Sequence, residues 1–432
     1  MTTKNFINFH ILISHSPSCL NRDDMNMQKT AVFGGVNRVR VSSQSLKRSM
    51  RKSSYYESQF GAASIRTREL EKLIPLFVER LGDEFDPLLV AKTMELFVRA
   101  KVADDETEEA DEQVDGAGGE GGKSKKLAVA PWAIEEIKVL YGIVKDVSLT
   151  DDEMSKAKVA AANQKGKKKK SEHEFIDDVL TKKRVKAVKE KSDLARKAIA
   201  SALDIALSGR MATSGLMTSV DGSFAVAHAI TTHAVEPQDV DWFTAVDDLT
   251  QDAGEVRAGH LDTQQFSSGV FYRYASLNLK QLQVNLGLLP DIKSEETTES
   301  RQRALDIARH AFHLLATVEP SAKQQSFAAH NLADFAIASF ADQPISLANA
   351  FEQPVKRDYR NDGFLKPSIQ SLNTYWARMN HAYNLDEQAR AFAVVNDVEH
   401  GQAEDHGKKP CGPAAFGSLK EIETWIANGG QA

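Results

Sequence analysis

The first dense cluster of apolar positions is NFINFHILIS, at residues 5–14. It is rich in β-formers with partial alternation, which predicts a buried strand. VNRVRV at 36–41 alternates apolar residues with Asn or Arg, the pattern of a half-buried strand. Ser42 or Ser43 then caps a helix expected to reach about Tyr55. Residues 62–100 and 131–207 carry mostly helical periodicity, with Pro131 placed to open a helix running to Val147. Further strands are expected from Ser223 to Ile230, Phe271 to Leu277 and Phe335 to Phe340. Further helices are expected from Leu279, from Arg301 to Val318 and from Ser368 to Ala382. Residues 231–268, rich in Thr, Asp and Gly, read as irregular. Strands and helices thus interleave around one long helical stretch. That order predicts an α+β fold, a ferredoxin or RNA-recognition core carrying insertions.

Composition sets limits on this picture. At about 150 residues per domain, 432 residues predict roughly three lobes. Hydrophobic residues at 42% and charged residues at 26% fit a soluble globular chain. No run of about 18 uncharged apolar residues offers a membrane span. His10 interrupts the N-terminal apolar stretch, so no signal peptide is expected. Cys19 and Cys411 are the only cysteines, which excludes a disulfide framework and a four-cysteine zinc site. A reduced, cytoplasmic protein is expected.

The formal net charge of −6 argues at first against a nucleic-acid partner. Its distribution reverses that argument. Residues 103–122, ADDETEEADEQVDGAGGEGG, hold nine acids and no base. Such a block, rich in glycine and without aromatics, reads as a solvated loop. Without those nine charges the remainder stands at +3. A second low-complexity stretch, QKGKKKK at 164–170, has the opposite sign.

The bases are also clustered. Arg22, Lys29, Arg38, Arg40, Lys47, Arg48, Arg51 and Lys52 share one span whose only acids are Asp23 and Asp24. On the expected helix, Leu46 and Met50 face the core, while Lys47/Arg51 and Arg48/Lys52 crowd like charges four residues apart. That spacing costs stability unless an anion offsets it, and a phosphate backbone would do so. Ser42, Ser43 and Gln44 add uncharged donors at the helix start. In LTKKRVKAVKEK, Lys182, Lys186 and Lys189 form one helical stripe and Val185 and Val188 belong to another, which Ala195 and Ile199 extend. Such a row would meet backbone charge without reading sequence. LSGRMATSG at 207–215 is a small-residue loop suited to close backbone approach, with Arg210 as a charge and Met211 as an apolar wedge. In DWFTAVDD, Trp242 and Phe243 stand in polar surroundings and could stack bases or anchor a subunit. Solvated helix faces, an inward-packed Met211 and a small satellite core around the aromatics are the plainer alternatives.

Enzyme templates are missing. The sequence has no GxxxxGK[ST], GxGxxG, GxSxG or HExxH. His228 and His233 have the wrong spacing for two ligands on one helix face and read as structural. His400, His406 and Cys411 lack a fourth partner for a metal. No metal and no cofactor are expected. Asp23 or Asp24 assisting RNA cleavage is the enzymatic alternative.

FINFHILISHSPSCLNRDDMNMQKTAVFGG, VRVSSQSLKRSMRKSSYY, DIALSGRMATSG, AHAITTH, DWFTAVDDL and FSSGVFYRYA together resemble the CasC family, backbone subunits of the type I-E CRISPR surveillance complex Cascade. The resemblance runs from about Asn5 to Trp425 and skips the two low-complexity stretches. It implies a modified RNA-recognition (ferredoxin-like) palm at 1–61, a helical fingers insertion at 62–223 with low-complexity loops near 103–126 and 164–170, and a palm strand at 224–230. An extended thumb loop or hairpin would follow at 231–267, with the rest of the palm and C-terminal helices at 268–432. It also implies a non-catalytic protein that polymerises along a CRISPR guide RNA in about six copies, as a head-to-tail contact that does not close permits. Each thumb would displace one guide nucleotide at regular intervals, so that pairing with target DNA runs in short segments.

Expected partners are the large, small, guide 5′-end and guide 3′-end Cascade subunits and a separate helicase-nuclease, with no membrane. Matching positions assign guide contacts to Arg22, Lys29, Ser42, Gln44, Lys47, Arg48 and Arg51. They assign the wedge loop to Arg210 and Met211, and the thumb tip to Trp242, Phe243 and Thr244. Target DNA would meet Lys182, Lys183, Lys186 and Lys189. A backbone subunit of the type III complexes, cutting RNA through Asp23 or Asp24, is the alternative within this resemblance.

Overall fold

The computed structural model describes residues 4–67, 69–99, 130–164, 170–200, 202–211, 216, 219–243, 261–320, 323–357, 363–394 and 412–431. Its strands in chain order are β1 (Phe6–Ser18), β2 (Thr30–Phe33), β3 (Val36–Val41), β4 (Ile65–Thr67), β5 (Ala130–Trp132), β6 (Phe224–Val226) and β7 (Ala229–Thr231). They continue with β8 (Gln238–Phe243), β9 (Leu261–Asn278), β10 (Phe335–Ala341), β11 (Gln388–Ala393) and β12 (Ala415–Phe416). Fourteen α-helices accompany them among the described residues, so the fold class is α+β as expected. The chain divides into two compact units. One holds residues 1–61, 223–283 and 291–432, and the other holds 62–222 and 284–290.

The first, the sheet unit, is organised around β1. Ile7, Phe9, Ile11, Leu12 and Ile13 are all fully buried, because β1 runs inside the sheet and both faces are covered. It pairs antiparallel with β9, from Phe6↔Asn278 to Ser18↔Ser267, and with β10, from Phe6↔Ala341 to Leu12↔Phe335. The sheet runs β12-β11-β10-β1-β9-β7-β3-β2, with β6 and β8 also paired to β9. Only the β11–β12 pair is parallel among these strands. On one face Phe9 meets Phe312 of helix Thr298–Thr317 at 5.7 Å between ring centroids. On the other, Leu12, Tyr272, Phe351, Ile369 and Leu372 form a core with helix Leu365–Tyr383.

Several of the largest buried polar side chains in this unit are hydrogen-bonded. Tyr272 accepts from the Leu347 amide at 3.1 Å and shares a hydrogen bond with His10 Nδ1 at 2.8 Å. Burial pulls His10 down to about 3, so the ring stays neutral. Arg38, counted above among the clustered bases, is not on the surface. Its side chain is fully buried and donates to the carbonyls of Phe33, Thr231 and Phe351. Gly34 turns the β2–β3 hairpin at φ +61, where a Cβ would stand 1.6 Å from the Glu352 carbonyl oxygen. Gly34→Ala is therefore expected to destabilise the chain by more than about 1 kcal/mol, read as a lowered urea midpoint.

Several elements differ from the sequence reading. The expected helix to Tyr55 is two: Ser43–Lys52 and Ser54–Phe60, broken where Ser53 is extended and caps the second. Residues 231–268 are not all irregular, since β8 and β9 form a hairpin from Gln238↔Phe266 to Phe243↔Leu261. Pro131 lies in β5, paired with Arg66 of β4, and the helix opens at Ile134. Proline tolerates such a two-stranded edge because it need not donate.

The second, the helical unit, packs Leu73, Phe77, Val90, Met94, Phe97, Trp132, Ile137, Leu140 and Val144 into one core. Its longest helix, Glu172–Glu190, starts with a Ser171/Glu174 capping box and buries Val188. Among the described residues no helix is long and apolar enough to cross a membrane.

Candidate nucleic-acid interface

In the sheet unit the expected phosphate donors come from two adjacent elements. Asn21 fastens them: its carbonyl accepts from the Lys29 amide at 2.9 Å, and its side-chain oxygen accepts from the Ser42 amide at 2.9 Å. Between them, residues 22–28 form a closed loop. Asp23 Oδ1 accepts from the amides of Met25 and Met27 at 2.9 and 3.0 Å, and Arg22 donates to Asn26 Oδ1 at 2.8 Å. Asn26 takes the left-handed conformation this turn requires. These internal hydrogen bonds shape the loop, which leaves Arg22 and Met25 exposed.

Helix Ser43–Lys52 presents the remaining bases. Leu46 and Met50 are its buried face, as expected. Arg48 and Lys52 are exposed, and Lys47 and Arg51 are half-exposed one turn apart. Ser42 is buried, and its hydroxyl accepts from the Ser45 amide at 3.2 Å, so its place is the helix cap. Gln44 is exposed in the first turn.

Two further groups join this surface that the sequence reading did not assign. Arg40 pairs with Ile230, and this register brings His228 to the helix start. His228 Nδ1 accepts from the Ser43 amide at 3.2 Å and from Arg40 Nη1 at 3.2 Å. Partial burial, then the charges of Arg40 and Lys29, hold the imidazole below its ordinary range. Its role as an acceptor there requires the neutral ring. Nothing in AHAITTH signals this position, because strand pairing across almost 190 residues creates it.

The helical unit holds Arg210 and Met211. Arg210 does not offer its charge to the surface: its side chain is 0% exposed and forks onto Glu136, itself 1% exposed, at 2.7 and 2.9 Å. Burial pushes the Glu136 carboxyl up and the Arg210 guanidinium opposes that push. Met211, the next residue, is 85% exposed. A cavity of about 450 Å³ lies beside it, lined by Ser208–Met211 and Ser219–Gly222.

On helix Glu172–Glu190, Lys182 and Lys186 are exposed, and Lys186 stands 4.0 Å from Glu190. Lys183 is engaged with Glu153 at 2.5 Å and the Ser148 carbonyl at 3.0 Å. That ammonium, with the Thr150 amide, holds Glu153 down at about 2. Lys189 is exposed at the helix end. Trp242 and Phe243 pair through their backbones with Asp262 and Leu261. Thr244, the acidic block, His400, His406 and Cys411 lie outside the described residues. Among the described residues no cluster of His, Cys, Asp and Glu could hold a metal ion.

An α+β sheet unit with a basic loop and helix, and a helical unit bearing an exposed methionine beside a buried ion pair, are the features to set beside known proteins. A profile of CT1975-like proteins matches residues 7–421, and the chain belongs to that family. No curated protein matches it. Among solved structures it is similar to a chain of a CRISPR RNA-guided surveillance complex in a pre-nicking state. That match has 26% identity and a TM-score of 0.65, and covers 98% of this chain and 100% of the other. A chain of another CRISPR RNA-guided surveillance complex aligns over 98% and 99% at 21% identity, with a TM-score of 0.49.

Proposed function

We propose that this chain is a non-catalytic, guide-RNA-binding backbone subunit of a type I-E Cascade complex. The likeness to the surveillance-complex chain over essentially the full length of both carries this reading. The chemistry of the surface supports it. In RNA-guided systems base pairing reads sequence, while protein holds backbone and shape. Arg22, Lys29, Lys47, Arg48 and Arg51 supply charge for phosphates, Arg40 adds to it, and the neutral His228 ring adds an uncharged donor at Nε2. Ser42 contributes by fixing the helix start, and Gln44 supplies an uncharged donor. Met211 is the wedge, and the β8–β9 hairpin with Trp242, Phe243 and Thr244 is the thumb. Copies of the chain stack along the guide, the other Cascade subunits cap it, and a recruited helicase-nuclease cuts the target DNA in the cytoplasm. Native mass measurement of the chain expressed with a guide should give RNA bound to several copies of it; a monomer on RNA would overturn the reading.

The alternative, target-RNA cleavage through Asp23 or Asp24, is less favoured at Asp23 than at the exposed Asp24. Asp23 is occupied by two backbone amides and shapes the loop. Complementary RNA is expected to survive incubation with the assembled complex, and periodic cuts abolished by Asp23→Ala would establish cleavage instead.

The lysine row is proposed to meet target DNA through Lys182, Lys186 and Lys189, with Lys183 shared with Glu153. Replacing all four with alanine is expected to leave assembly intact and weaken DNA binding, measured by mobility shift. Failed assembly would make the helix structural.

A further inference from the structure

An exposed methionine alone signals nothing, since scattered apolar residues are normal on surfaces. What sits beneath Met211 sets it apart. Arg210 and Val220 exchange both backbone hydrogen bonds at 2.8 Å, closing the excursion at its neck. Gly209 precedes them at φ +76, where a Cβ would stand 2.7 Å from the Val220 oxygen and 2.8 Å from the Gly222 amide nitrogen. Asn285 Nδ2 donates to the carbonyls of Ala206 and Asp221 at 2.7 Å each, tying both sides of the neck together. The Arg210 side chain then runs inward to a fork-to-fork pair with Glu136 on helix Ile134–Lys145, beside the buried Ile137 and Leu140. Such bidentate pairing fixes orientation as well as position.

From this geometry we propose that Glu136 and Arg210 are positioning residues, holding the neck rigid so that Met211 can enter between nucleobases of the bound RNA. The inference rests on Met211 being the wedge of the proposed function. It gives Arg210 a different part from the RNA-binding charge the sequence implies: the charge acts through the next residue and never meets RNA. A wedge works only where its own motion is restricted, because unstacking a base step costs a few kcal/mol. A loosely hinged methionine would fold away instead of separating the bases.

The test uses the full chain assembled on guide RNA carrying 2-aminopurine at single positions, whose fluorescence rises when a base is unstacked. The wild type is expected to show bright positions at regular intervals. Met211→Ala should dim them at least about threefold. The paired replacement Glu136→Leu with Arg210→Met removes both charges of the pair and keeps much of the packing volume. It should dim them equally, with guide affinity and copy number unchanged. Arg210→Lys keeps the charge but loses the fork, and should dim them about twofold. It decides the question alone if the paired variant does not assemble. Full brightness in these anchor variants, with dimming in Met211→Ala, overturns the positioning role only. Full brightness in Met211→Ala overturns the wedge reading and this inference with it.

Discussion

Lys47→Ala combined with Arg51→Ala should weaken guide RNA binding roughly ten- to a hundredfold, at about 1.5–3 kcal/mol for a hydrogen bond to a charged group and some of it recovered by neighbours. The two side chains stand one helical turn apart, about 6 Å, close to the spacing of successive phosphates on an extended strand. Leu46 and Met50 hold the opposite face in the core, so the substitution leaves the helix in place. The salt dependence carries the sharper signature. Each lost phosphate contact removes about 0.7 from the slope of log affinity against log salt for a single strand. The double variant should therefore lose about 1.4 from that slope. Titrations of labelled guide at several salt concentrations measure it, and an unchanged slope would remove this helix from the interface.

Glu136→Ala should lower the stability of the helical unit by roughly 3–5 kcal/mol, because it removes the bidentate carboxylate partner of a guanidinium with no access to water. The expected readout is a urea transition of the full chain, followed by circular dichroism, with a much lower midpoint. Glu136→Leu with Arg210→Met should fall close to the wild type, since removing both charges abandons the desolvation cost along with the attraction. A Glu136→Ala midpoint matching wild type would mean that the pair is not desolvated.

The elements legible in the sequence were those whose own residues decide them. β1, β3, β10 and helix Thr298–Thr317 carry strong local patterns, and all stand within a few residues of expectation. β11 and β12 were not anticipated, because QARAFA is half Ala and β12 is two residues long. Neither has a period to read; pairing with neighbours already in the sheet makes them strands. Pro131 shows the same effect in reverse, since a favourable helix-start residue is drawn into β5 by its partner β4. Within the candidate interface, the helix Ser43–Lys52 and its buried face were legible because a cap and an apolar spacing lie in one short segment. Arg210 was misread because its partner Glu136 is 74 residues away and nothing near LSGRMATSG announces it. Arg38 and His228 belong to the same class: long-range pairing alone sets whether each is buried or exposed.

The central place of β1 also governs how the chain comes off the ribosome. Its segment is made well before its neighbours β9 and β10, which join it across separations of about 250–270 and about 320–335 residues. Contacts this distant in sequence form slowly, so a nascent chain carries FINFHILI without its partners for most of synthesis. A short, uncharged, β-prone segment in that state is open to edge pairing with other chains. The same delay leaves the sheet unit incomplete until its last strands emerge. Folding of this protein is expected to depend on chaperones that shield the first strand, and C-terminal truncation before β10 should yield aggregates instead of a smaller domain.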